Sequence, residues 1–430
     1  MAHRSFIPNL SSISRWTIVS AIAWFAIQAI GFAGTDGKST VFMVAMDGLR
    51  PDYIDRAETP FLDLLLEQAA WSRELVPTFP TNTFQSFSSI ATGLRARQHG
   101  ITGNSFYDTR TQRIHRYPGD SALLEAEPIW RTAERQGVRT LVFDWVLSHN
   151  QSGPAATSYH GNEYTRGISD RERMKRVLRA WRADDDARPL RFILAYAESP
   201  DSEGHRYGPD SPAMEEVMAH VDTLLASVYS EAREIWSTTA STGDSFYFVV
   251  LSDHGMSSVE TVVNLRNAAQ LEGRDAVVSM TTGNIGHLFF NRLRSEERRR
   301  QWILDARDAL DQHAFISVYE RDELPADWDY AHPYRTGDLI AVLPTGYTFS
   351  ARPEGVTEAV ENFGGPFGMH GYDPAEDPNM NTLLVVHRHP KPLAGGDIGR
   401  VSTLQIHPTV ARILGIDPAP RAKAKPLELK

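Results

Sequence analysis

The chain has 430 residues, 41% of them hydrophobic and 23% charged, with a formal net charge of −10 and no cysteine. That length carries one large α/β domain with insertions, or a core with a small cap, while the acidic balance excludes a nucleic-acid scaffold, which needs a basic stripe. The lack of cysteine excludes disulfides and a lipoprotein anchor, and no internal repeat is visible.

In chain order, the first segment is an address. His3, Arg4 and Arg15 precede an apolar run over 16–33 that is broken only by small residues and Gln28, with Gly31 and Ala33 spaced as a cleavage site prefers. Residues 1–33 read as a signal peptide or an uncleaved signal anchor, followed by a single catalytic domain over 34–430. An exported chain without disulfides fits a bacterial periplasm, with membrane contact only through that segment.

The run 41–46 in VFMVAMDG then reads as a buried strand ending at Asp47. Residues 59–71 read as a helix. In PTFPTNTFQSFSSIATG (77–93) a Pro-rich loop runs into Thr83, and Phe84, Phe87 and Ile90 follow at helical spacing. Thr83 therefore stands at a helix N-terminus, where it reads as a capping residue or, with free N–H groups nearby, as a hydroxyl placed beside an anion.

Further on, 128–136 reads as a helix, 140–145 as a strand, 170–183 as a helix and 192–196 as a strand leading into Asp201 and His205 of AESPDSEGH. A long helix over 214–236 precedes the strand 246–251, which ends in Asp253 and His254. The basic cluster from Arg292 to Arg300, with Glu296 and Glu297 inside it, reads as a solvated helix start. Strands over 339–343 and 382–387 flank His370 in GMHGYD, and 407–414 reads as a closing helix. The stretches 148–166 and 321–335 read as loop insertions over a site, with His149, His160, Tyr164 and Tyr334 available to touch a ligand, although surface roles are the simpler reading.

This βα alternation implies a mostly parallel sheet flanked by helices, in which residues after the strand ends meet in one crevice. Asp47, Asp201, His205, Asp253, His254 and His370 are the residues so placed. Imidazole and carboxylate suit zinc, and six ligands are too many for one ion but suit two.

Taken together, Asp47-Gly48, Thr83-Phe84, GITGNSFYD around Asn104, ESPDSEGHRYGP (198–209), DHGM (253–256) and HGYD (370–373) resemble the nucleotide pyrophosphatase/phosphodiesterase family of the alkaline phosphatase superfamily, from residue 41 to about 418. The resemblance implies an alkaline-phosphatase-like α/β fold and a two-zinc phosphodiesterase acting through a phosphothreonine intermediate. It implies Asp201, His205 and His370 on one zinc and Asp47, Asp253 and His254 on the other, with Thr83 as nucleophile touching the second. It also implies Asn104 as donor to a phosphoryl oxygen, and Phe84 and Tyr196 as rings lining the pocket.

Two flanking rings suit a nucleobase by stacking or a quaternary ammonium by cation–π attraction, so nucleoside 5′-diesters and choline phosphodiesters are both expected substrate classes, the former preferred. A phosphomonoesterase or phosphonate hydrolase would use the same metals, and a non-catalytic binder would be expected to lack part of the set. A sulfatase is excluded, because no Cys or Ser stands in the short Cys/Ser-x-Pro-x-Arg pattern. The chain departs from the family at Gln85-Ser86, where Pro-Asn is common, and at Asp144-Trp145-Val146-Leu147-Ser148, where Trp-Pro-Gly-Ser is common.

Overall fold

A computed structural model describes residues 37–429; the N-terminal address over 1–33 lies outside the described residues. At the centre is β1 (Ser39–Asp47), whose neighbours make clear why it is a continuous apolar run. It pairs in parallel on one side with Phe192–Pro200 and on the other with Ser245–Ser252. With helices on both faces, side chains of either parity must be apolar. Val41, Met43 and Ala45 enter a core with Phe87 and Ile90, whereas Phe42, Val44 and Met46 enter another with Trp181, Met214 and Met218.

With β2 as Ala69–Val76, β3 as Thr140–Val142, β4 as Tyr159–His160, β5 as Phe192–Pro200, β6 as Ser245–Ser252, β7 as Thr382–His389, β8 as Gly396–Asp397 and β9 as Val401–Ser402, the main sheet runs β8-β2-β7-β6-β1-β5-β3-β4, and β9 also pairs β2. Only β7 runs against its neighbours. The fold is thus mixed α/β with a large, mostly parallel sheet flanked by helices, as expected.

Several helices match their expected extents: Ile129–Arg135, Asp170–Arg182, Ala213–Ser237 and Ile406–Leu414. The basic cluster opens Glu296–Leu310, where Ser295 caps the helix by accepting the Arg298 N–H.

Other expectations need correction. The helix over 59–71 stops at Glu67, and Ala69 begins β2. No Gly or Pro marks that break, and the leucine periodicity runs up to it, while the pairing of Ala69 and Ala70 with His387 and Val386 is a tertiary effect. The strand over 140–145 ends at Val142, because Asp144 takes a left-handed conformation (φ 57°). Leu339–Val342 is a strand, but it belongs to a separate antiparallel sheet with Val278–Thr282, Ile285–Phe289 and Ser317–Glu320. The stretch 148–166 is not wholly loop, since it contributes β4 to the main sheet. The stretch 321–335 packs inward instead of over the site: Trp328 stacks on Phe79 at 3.8 Å, and Tyr330 is buried with them. Among the described residues no helix is long and apolar enough to cross a membrane.

Candidate active site

The parallel strands deliver their carboxylates to one end of the sheet. Asp47 closes β1, Asp201 follows β5 at the start of the helix Asp201–Tyr207, and Asp253 follows β6. The β1–β5 register jumps from Met46↔Ala197 to Asp47↔Pro200, which turns both acids toward the same space. Gly48 permits this approach. Its φ is +67°, its N–H donates to Asp253 Oδ1 at 3.2 Å, and a Cβ there would lie 2.9 Å from Asp201.

Three histidines face these acids in one orientation. His205 donates from Nδ1 to the Gly368 carbonyl at 2.7 Å, His254 to that of Gly255 at 2.9 Å, and His370 to that of Thr81 at 2.9 Å. Each bond leaves the Nε2 lone pair as the free end of the ring. His254 Nε2 lies 3.3 Å from Asp47 Oδ1 and 3.1 Å from Asp253 Oδ2, and His205 Nε2 lies 3.3 Å from Asp201 Oδ2.

Asp47 Oδ1, Asp201 Oδ1 and Asp253 Oδ2 are buried without a hydrogen-bond partner among the described residues. Lone pairs facing lone pairs are unfavourable unless cations lie between them, so the donor set fits bound metal. The donors fall into two groups, Asp201/His254/His370 and Asp47/Asp253/His254, each with its atoms within 4.8 Å of one another. His254, stacked on His370 at 3.6 Å, is common to both, and His205 stands at the edge of the first through Asp201.

The electrostatics agree. Burial, with Asp253 and Asp201 adding to it, holds the Asp47 carboxyl well above its ordinary range, and burial pushes Asp253 up to about 6. Burial would raise Asp201 too, but His205 and His370 outweigh it and its carboxyl is lowered. Burial, reinforced by His254, lowers His370 well below its usual value.

Thr83 is the first residue of the helix Thr83–Thr92. The capping position belongs to Asn82, and the Thr83 hydroxyl makes no cap. It sits 3.2 Å from His254 Nε2, at the edge of the candidate metal-binding set. The capping reading of Thr83 therefore gives way. Asn104 also lies where expected, its Oδ1 accepting the Phe84 N–H at 2.9 Å. The Phe84 amide is thereby spent on holding the Asn104 side chain.

The pocket above these groups has a volume of about 310 Å³ and brings together Asp47, Thr83, Phe84, Asn104, Asp201, His205 and His370. Phe84 faces it. Tyr196 reaches its wall but is only 7% exposed, packs edge-on against Phe87 at 5.6 Å, and donates its hydroxyl to Asp47 Oδ2 at 2.6 Å. Its principal contact is thus with one of the candidate metal-binding acids. The ring that lines the pocket more openly is Tyr164.

Tyr164 is held from behind by Arg173, which is 1% exposed and has its guanidinium 4.8 Å from the ring centre. Arg173 also bonds Asp144 and, at 2.9 Å, Glu198, which in turn accepts the Tyr164 hydroxyl. His149 is 1% exposed, lines the pocket and lies 3.7 Å from Asp144, so its surface reading is overturned. His160 and Tyr334 are not part of the pocket wall; Tyr334 is exposed beneath Arg110. Tyr117, Arg166 and Arg173 escaped the sequence reading. No local spacing announces them, although Asp144 and Glu198 stood in motifs already noticed.

Acids and imidazoles gathered at strand ends beside a helix-start hydroxyl define a class, a metal-dependent hydrolase on an alkaline-phosphatase-like α/β sheet. The model of the type I phosphodiesterase/nucleotide pyrophosphatase family matches residues 41–373. The chain belongs to that family of hydrolytic enzymes.

Bovine (Bos taurus) bis(5′-adenosyl)-triphosphatase ENPP4 is 27% identical over 399 residues, covering 91% of this chain and 81% of its own. Human (Homo sapiens) ectonucleotide pyrophosphatase/phosphodiesterase family member 7 is 26% identical over 424 residues, covering 95% and 86%. Among solved structures, an inactive murine ectonucleotide pyrophosphatase/phosphodiesterase 5 in complex with AMP superposes with a TM-score of 0.74 at 22% identity, over 89% of this chain and 96% of that one.

Proposed function

We propose that the protein is a two-zinc phosphodiesterase/nucleotide pyrophosphatase that cleaves nucleoside 5′-phosphodiester or phosphoanhydride bonds through a phosphothreonine intermediate. The observation that carries this is the gathering of three Nε2 lone pairs and three partnerless carboxylate oxygens in one cluster, with the Thr83 hydroxyl 3.2 Å from His254 Nε2. Asp201, His205 and His370 would hold one ion and Asp47, Asp253 and His254 the other. Zinc bound there lowers the pKa of a coordinated hydroxyl and offsets phosphoryl charge.

The chain's own groups do the rest. Thr83 Oγ1 attacks phosphorus in line and the leaving alcohol or phosphate departs; water then releases the Thr83 ester from the opposite side, with retention overall. Asn104, fixed by the Phe84 amide, offers its carboxamide to a phosphoryl oxygen.

Phe84 and Tyr164 face the part of the substrate remote from phosphorus, and a planar base suits them. A choline ester is disfavoured, because both pocket carboxylates near these rings, Asp144 and Glu198, are already neutralised by Arg173. The names and ligands of the relatives point the same way: a bis(5′-adenosyl)-triphosphatase and an AMP complex.

The domain over 34–430 is read as one exported catalytic unit. The test is hydrolysis of nitrophenyl phosphate against nitrophenyl thymidine 5′-phosphate by the purified full chain. Preference for the diester supports the reading, and preference for the monoester makes the protein a phosphomonoesterase.

A further inference from the structure

The catalytic pocket continues past Tyr164. Tyr117, Pro118, Gly119, Tyr164 and Arg166 line both it and an adjoining groove of about 710 Å³. The groove is rich in cations, with Arg110, Arg113, His115, Arg166 and Arg335 in its walls, in a chain whose net charge is −10.

Arg110 and Arg335 are engaged by Asp108 and Glu125. Arg113 and Arg166 form no ion pair among the described residues. Of the groove's acids, Asp108 is paired, while Asp120, whose carboxylate accepts the Ala122 N–H, and Glu163 keep their charges beside the two unpaired guanidiniums.

The groove is built onto the reaction centre. The hairpin Ser105–Asp108 and Arg113–Arg116 starts one residue after Asn104, with Asp108 opposite Arg113. The Tyr117 N–H donates to the Asn104 carbonyl at 2.9 Å. Tyr117 itself, left-handed at φ 43° and exposed, stands edge-on to Phe84 at 5.8 Å, where pocket and groove meet.

We propose that this groove is a second anion subsite, which holds a phosphate-bearing extension of the substrate beyond the group seated on Phe84 and Tyr164. The proposal rests on the phosphodiesterase reading. Guanidinium suits such a ligand, since its forked donors match phosphate oxygens. The favoured substrates are then nucleotidic diesters carrying a further phosphate, as at the 3′ position of the retained nucleoside or in a second nucleotide.

The test compares kcat/KM of the full-length enzyme on nitrophenyl thymidine 5′-phosphate and on the same compound bearing a 3′-phosphate. The expected gain from the added phosphate is about tenfold at low salt, shrinking as salt screens it. Arg113, exposed and outside the catalytic pocket, is the lever. Arg113→Ala should remove most of the gain, and Arg113→Glu should turn it into a loss, with the parent diester unchanged in both. Equal kcat/KM for the two diesters, or a gain untouched by Arg113→Glu, would overturn the subsite alone. Failure to hydrolyse either diester would sink the phosphodiesterase reading and the subsite with it.

Discussion

Tyr196 donates its hydroxyl to Asp47 Oδ2 at 2.6 Å, while Asp47 Oδ1 is left bare toward His254. The bond fixes which carboxylate oxygen is offered to a metal. Tyr196→Phe keeps the packing against Phe87 and removes only this bond. Metal content after dialysis and kcat/KM should fall roughly 10- to 100-fold in metal affinity or activity, on every substrate alike. A loss confined to nucleotide substrates would return Tyr196 to the substrate wall.

Because the Thr83 hydroxyl does no capping, its removal should cost little helix stability. Thr83→Ala should retain metal yet lose about a thousandfold or more in turnover, with no covalent phosphoenzyme on rapid quench, whereas Thr83→Ser keeps partial activity. Near-normal turnover in Thr83→Ala would remove it from the mechanism.

Elemental analysis of protein purified without chelator should give two zinc ions per chain. His370→Ala and Asp253→Ala should lower metal content and rate together, because each leaves its partners' lone pairs without a complete ligand set. One metal in fully active enzyme would contradict the dinuclear reading.

Stacking on Phe84 and Tyr164 predicts a contrast between substrates. Phe84→Ala and Tyr164→Ala should lower kcat/KM on a nucleoside 5′-diester by about 10- to 100-fold, with a much smaller effect on bis-nitrophenyl phosphate. A larger loss on glycerophosphocholine would favour the choline class instead.

Acid should destabilise the fold through three buried histidines outside the candidate metal-binding set. His99 accepts the Ile101 N–H, His287 that of Gly337 and His407 that of Ala419, so each ring is held neutral with its acceptor nitrogen against a donor. Burial lowers them to about 3, about 3 and about 4. Unfolded histidine titrates near 6.5, so below that the unfolded chain binds more protons. Stability is therefore complete above about pH 6.5 and falls toward pH 4, by up to about 1.4 kcal/mol per pH unit for each ring. A urea midpoint higher at about pH 5 than at about pH 7.5 would contradict the sign.

What was legible in the sequence was what local pattern encodes. The runs ending at Asp47 and Asp253 announced buried parallel strands, because burial on both faces forces both side-chain parities to be apolar. The placement of the candidate metal ligands and of Thr83 at strand ends and a helix start was readable too, since those are local features. The rings were harder. Phe84 and Tyr196 both sit beside site residues in sequence, but whether a ring faces the pocket or a carboxylate depends on what packs behind it. Tyr164 owes its position to Arg173, Glu198 and Asp144, which meet only in the folded chain. Likewise β2 looked like a continuing helix because its partners lie at the other end of the sequence.

That last arrangement bears on how the protein is made. Among the described residues every strand that pairs β2 comes after residue 381, and Ser72 donates its hydroxyl to a carbonyl 327 residues away. A chain growing from its N-terminus must carry β2 as an unsatisfied edge until Thr382–His389 has emerged, and His370 arrives just before the strand that relieves it. Completion of the sheet and of the ligand set are therefore late and nearly simultaneous events. A nascent or truncated chain would be sticky and would lack part of the proposed ligand set, so under the two-metal reading metal uptake would report a finished sheet.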